Sequence, residues 1–179
     1  MDFALYKIRQ FCLERVPFER ISLLDAVVLT PWGTPSLRHV KEYLGAYRSM
    51  PSDVFEAYVE ARLGQATRQP MDEGAFEAYL SQWRGVAGQA AYLRKDEALL
   101  ERDTAELEPR LGVIGVPVQV VWGEEDRWLD PSQARLLAEK IPNAKMRLVP
   151  NAGHFVMEDA PGEVAEGLMG FFSGDGTSS

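Results

Sequence analysis

The sequence predicts an α/β protein, in which parallel strands alternate with helices and one long all-helical block interrupts the alternation. Three observations carry this expectation. Two short, β-branched apolar runs, ISLLDAVVL (Ile21–Leu29) and PVQVVW (Pro117–Trp122), read as strands buried on both faces. Helical periodicity fills the segments around them. No strand pattern breaks Pro35–Glu108, a stretch of about 75 residues. Strands separated by helices pair in parallel, because the crossover needs the length of a helix.

Each element follows from local chemistry. Asp2 to Arg15 places Leu5, Ile8, Phe11, Cys12 and Val16 on one helical face, and Pro17 ends it. After the first strand, Thr34 offers a side-chain cap and Pro35 a preset first helical residue. Leu37, Val40, Leu44 and Tyr47 then recur at helical spacing. Two further helices carry Val54, Phe55, Tyr58, Val59 and Leu63, then Phe76, Tyr79, Leu80 and Trp83. Gly85–Glu108 is helical as well, with a more polar pattern. Beyond Trp122, Asp130 and Pro131 start a helix whose inner face is Ala134, Leu137, Ala138 and Ile141. AKMRLVP supplies another strand. A last helix from Pro161 turns Val164, Leu168, Phe171 and Phe172 inward.

Composition narrows the function. The chain has 179 residues, 46% of them hydrophobic, enough for a packed core. Its net charge is −8 and Lys and Arg do not cluster, which disfavours nucleic acid. No apolar run reaches the roughly 20 residues of a membrane helix, and Met1–Val16 mixes charges into every turn, unlike a signal peptide. A cytoplasmic setting is the simplest expectation. The single cysteine, Cys12, cannot close an internal disulfide and reads as a buried thiol rather than a nucleophile.

The chemistry concentrates at strand ends, where open α/β sheets place their sites. Asp25 and TPWGTP follow the first strand, GEEDRWLDP the second and PNAGHFVMEDAP the third. A histidine acts as a base when a carboxylate holds its other nitrogen, fixing the tautomer and stabilising the imidazolium. Asp126 and His154, 28 residues apart, stand at consecutive strand ends and are the candidate pair. Glu124, Glu125 and Asp130 read as a solvated loop face and a cap. His39, the other histidine, reads as a surface or packing residue.

GEEDRWLDP followed by NAGHFVMEDAP resembles the C-terminal signature of the α/β-hydrolase family, in a flavour close to its epoxide hydrolase and haloalkane dehalogenase branch. The likeness extends from the first strand, matching the family's sixth, to about Phe172. It implies a partial α/β-hydrolase fold: parallel strands of an incomplete sheet with an inserted all-helical cap. Residues 1–30 would be partial core, 31–112 cap, 113–173 C-terminal core and 174–179 a disordered tail. The resemblance makes Asp126 the triad acid and His154 the general base. It offers Asp25 as an alternative acid, Trp32 as a pocket residue and Glu158 as a structural glutamate. It implies hydrolysis of a small organic substrate (ester, epoxide or haloalkane) without cofactor or metal, and no nucleic-acid or membrane partner.

The family's nucleophile elbow, G-x-S-x-G or its aspartate variant, is not in this sequence. Asp2 stands near the corresponding place, but no strand precedes it and the bulky FALYK follows. The expectation is a truncated or split hydrolase, the alternative a catalytically inactive remnant that binds or self-associates. An apolar first strand at an open sheet edge points to a homo-oligomer or to a missing N-terminal segment.

Overall fold

A computed structural model of the chain describes residues 3–14 and 16–174. Asp2 and the tail after Gly174 lie outside the described residues. Three strands form one parallel sheet in the order β1 (Ile21–Leu24), β2 (Val118–Gly123), β3 (Ala144–Val149). Ile21 aligns with Val118, and Val118 with Ala144, so the carboxyl ends of all three strands emerge together. Helix α8 (Ser132–Lys140) makes the crossover from β2 to β3 and buries Ala134 and Leu137 on the sheet.

The first strand is shorter than its apolar run suggests. It stops at Leu24 because Asp25 takes a φ of 42°, a left-handed conformation that turns the chain out of the ladder. Ala26, Val28 and Leu29 stay buried, so their apolarity serves the core beneath the loop rather than a strand. Among the described residues β1 pairs only with β2 and forms one edge of the sheet.

Helix α1 (Phe3–Cys12) packs Ile8 into the main core, with Phe11 and Cys12 half-buried against it. Between β1 and β2 lie α2 (Pro35–Glu42), α3 (Leu44–Ser49), α4 (Ser52–Leu63), α5 (Glu73–Ser81), α6 (Gly85–Ala98) and α7 (Glu101–Ala105), then a 3-10 turn at Glu108–Val113. Thr34 caps α2 as its sequence requires, its hydroxyl accepting from Leu37 N at 3.1 Å. The segment Gly85–Glu108 breaks at Leu99 and Leu100, whose extended backbone separates α6 from α7.

Three apolar clusters organise the molecule. The largest joins α1, one sheet face and α8. The second holds the helical layer together through Val40, Phe55, Val59, Leu80, Tyr92 and Leu93. The third lies on the other sheet face, where Val121 and Val149 meet Val156 of α9 (Val156–Asp159) and Val164 of α10 (Pro161–Ser173). Phe172, expected to point inward, is 54% exposed. Consecutive helical residues point about 100° apart, and Phe171 takes the inner direction of the pair. No helix among the described residues is long and apolar enough to cross a membrane.

Candidate active site

The site is built where the loops after β2 and β3 close on each other. Glu124 N donates to Val149 O at 3.0 Å and Glu125 N to Ala152 O at 2.9 Å. The approach is so tight that a Cβ on Gly123 would stand 2.2 Å from Gly153 O, and one on Gly153 would stand 2.8 Å from Ala66 O. Only glycine fits at either position. This contact brings residues 126 and 154 within reach.

Asp126 lies just past the junction, its side chain wholly buried. One carboxylate oxygen accepts from Trp128 N at 2.8 Å and Leu129 N at 2.9 Å, which closes the loop on itself. The other oxygen meets His154 Nδ1 at 2.9 Å. The imidazole is boxed as well: Trp128 lies 4.8 Å away and Phe155 5.9 Å, centroid to centroid. With Nδ1 committed to Asp126, the ring leaves Nε2 for proton exchange. His154 lines a cavity of about 390 Å³ between the strand ends and the helical layer, with Trp32, Leu37, Leu99, Trp128 and Phe155 among its apolar walls.

The helical layer holds the histidine loop from above. Phe155 N donates to Ala66 O at 2.8 Å. Asp159 accepts from three backbone groups: Gly153 N at 2.7 Å, Arg68 N at 2.8 Å and Gln69 N at 3.1 Å. An ion pair between Arg68 and Glu125 ties the same segment to the loop after β2. Tyr79 OH donates to Glu158 at 2.8 Å, a structural place for that glutamate.

Asp25, the alternative acid, is not bonded to His154. It is 5% exposed, and its two oxygens accept from Gly123 N at 2.9 Å and Val156 N at 3.3 Å. Burial pushes its carboxyl up to about 7, against those two backbone bonds and the nearby His154, while the Asp126 charge adds to the rise. It ties the end of β1 to the end of β2 and the start of α9. Trp32 lines the cavity, its indole N–H donating to Thr104 Oγ1 at 2.8 Å.

The remaining candidates fall elsewhere. Glu124 and Glu125 are exposed, and Asp130 accepts from Ser132 N at the start of α8. His39 is exposed on α2, beside the rings of Tyr43 and Tyr47. The Cys12 thiol is half-buried and pushed up by burial, which disfavours the thiolate. No group of three or more His, Cys, Asp or Glu among the described residues is arranged to hold a metal.

Four contributors carry no local signature: Trp128 on the imidazole, Asp159 under the loop, and Arg62 and Asp96 on the cavity wall. Asp159 acts on residues about 90 positions earlier, a pairing visible only in the folded chain.

Comparison with known proteins matches residues 8–167 to the profile of the alpha/beta hydrolase family. A monoacylglycerol lipase of Bos taurus is 35% identical over 77 residues, which cover 43% of this chain and 23% of that protein. Lipase 1 of Psychrobacter immobilis is 32% identical over 82 residues, 44% of this chain and 26% of its own length. Among solved structures, an alpha/beta hydrolase fold protein from Burkholderia ambifaria superposes with a TM-score of 0.88 at 34% identity. The superposition covers 93% of this chain and 62% of that one, so the chain spans less than two thirds of this relative.

Proposed function

The chain belongs to the alpha/beta hydrolase family, and from that premise we propose that it is the acid-and-histidine part of an ester hydrolase. The observation that carries this reading is the 2.9 Å contact between His154 Nδ1 and the buried Asp126 carboxylate, beside an apolar cavity. Asp126 keeps the proton on Nδ1 and stabilises the imidazolium. His154 Nε2 takes the proton of the attacking hydroxyl and returns it to the leaving alcohol. Trp128 and Phe155 hold the ring plane while this happens. Lipases among the relatives favour esters over the epoxide and haloalkane chemistry of the branch that the sequence resembles.

The nucleophile and the oxyanion donors come from residues outside this sequence, since no G-x-S-x-G or G-x-D-x-G occurs in it. The unpaired side of β1 is where such a segment would add to the sheet. Without that segment, the same absence supports a second reading, a module that binds ester ligands without turning them over.

The test joins the chain to a strand–turn–helix segment carrying a G-x-S-x-G elbow and follows p-nitrophenyl ester hydrolysis. Turnover is expected, and His154→Ala should lower kcat by at least about 1,000-fold. Turnover that survives His154→Ala refutes the catalytic assignment. Ligand binding with no turnover in the joined protein favours the second reading.

A further inference from the structure

A second cavity, of about 240 Å³, adjoins the apolar one through shared walls at Thr34, Arg62 and Trp128. Its character is different. Ser36, Gln65 and two arginines, Arg62 and Arg127, line it, and among the described residues no acid does. Arg48, Arg68 and Arg84 of the helical layer each pair with a glutamate. Among the described residues Arg62 and Arg127 form no such ion pair. The chain has 27 acidic residues against 19 lysines and arginines, so two arginines sharing one hollow without an acid are not what composition alone supplies.

Arg62 is held in place. Its Nη1 donates to Tyr58 OH at 3.3 Å, and its guanidinium lies 5.3 Å over the Trp128 ring, which also lies against the His154 imidazole. Asp96 is near enough for its charge to act on Arg62, yet its own ion-pair partner is Lys95, at 3.1 Å. One bond to a phenol leaves most of the guanidinium's donors unused. Arg127 is exposed and follows Asp126 directly, so the loop that holds the histidine's partner also supplies the second cation. Arginine donates and never accepts, so a cationic group is repelled here. An oxyanion accepts from several N–H groups at once, and two guanidinium forks beside a hydroxyl and an amide suit it.

We propose that this hollow binds an oxyanion carried by the substrate, a carboxylate or a phosphate, so that the site takes esters with an anionic group beside an apolar chain that fills the larger cavity. The inference rests on the ester-hydrolase reading and names its substrate class. Arg62 and Arg127 are specificity residues: they touch the substrate away from the bond that is broken.

Binding measures this without turnover. Trp128 borders both cavities, so tryptophan fluorescence reports occupancy of either. The probes are octyl phosphate, octyl methyl ether, which has the chain without the charge, and inorganic phosphate, which has the charge without the chain. Octyl phosphate is expected to bind at least about tenfold more tightly than either. Arg127→Ala, which removes an exposed side chain, and Arg62→Met, which keeps an apolar stem, should each weaken octyl phosphate about tenfold and leave the ether unchanged. Arg127→Lys should recover part of the loss. No binding of octyl phosphate, or equal binding of octyl phosphate and the ether, overturns the anion site. Inorganic phosphate binding as tightly as octyl phosphate overturns its link to the substrate. An octyl phosphate affinity unchanged in both arginine variants overturns their role. The ester-hydrolase reading survives each of these outcomes and fails separately, if the joined protein still turns over p-nitrophenyl esters after His154→Ala.

Discussion

The loops at the carboxyl end of the sheet and the helical layer above them are held by different forces. In the loops, three aspartates do most of the positioning. Asp25 and Asp126 each accept from two backbone N–H groups, and Asp159 from three. In the helical layer the core is aromatic, with Phe55 and Trp83 set edge-on to Tyr92 at 5.6 and 5.2 Å, and ion pairs such as Arg48–Glu97 and Arg84–Glu56 lie at its surface. Hydrogen bonds to a carboxylate have a length and a direction, so they fix atoms. Apolar packing fixes a shape and accepts other side chains of similar volume. The half of the molecule that carries the imidazole uses the stricter of the two.

The largest expected effect is at Asp25. Its carboxyl titrates near 3.8 when free and at about 7 in the folded chain, where burial disfavours the charge. Between those values the folded chain holds the extra proton, so this residue's contribution to stability falls as pH rises from about 4 to about 7, then stays constant. Urea unfolding across that window should show the unaltered chain losing roughly 4 kcal/mol relative to Asp25→Asn, which carries no such proton. Parallel profiles for the two proteins would mean that the loop does not impose this burial.

Asp159→Ala comes next. It strands the N–H groups of Gly153, Arg68 and Gln69, and should cost roughly 3 kcal/mol in the same assay. Amide exchange should quicken at those three residues before it does at Val120. The smallest effect belongs to the helical layer. Arg48 and Glu97 pair at 2.7 Å with about half of each side chain exposed, and Arg48→Ala should change stability by less than about 0.5 kcal/mol. A larger loss there would erase the contrast between the two regions.

The contrast also explains what could be read from the sequence. Helix starts were legible because a cap is a local device, as Thr34 and Pro35 show. Asp126 and His154 were legible because each follows a strand that its own residues announce, and the strands' parallel register puts both ends at the same edge. The end of β1 was not. Ala26–Leu29 are as apolar as the strand before them, and only the left-handed turn at Asp25 separates the two. Arg62 and Asp159 were silent for a related reason. Neither differs in sequence from a surface charge, and what makes each important is a neighbour far along the chain.

The junction of Ala66–Gln69 with the histidine loop sets a rule for exchanging parts. The helical segments read like an insert that evolution or a designer could replace wholesale to change what enters the cavity. Residues 66–69 in it nevertheless hold the imidazole loop, because Phe155 and Asp159 are anchored on the backbone of Ala66, Arg68 and Gln69. A graft that omits them would deliver a new pocket with a misplaced imidazole. A graft that keeps residues 66–69 and varies the helices around them would leave the imidazole in register, so the natural unit of exchange is the helical layer minus that turn.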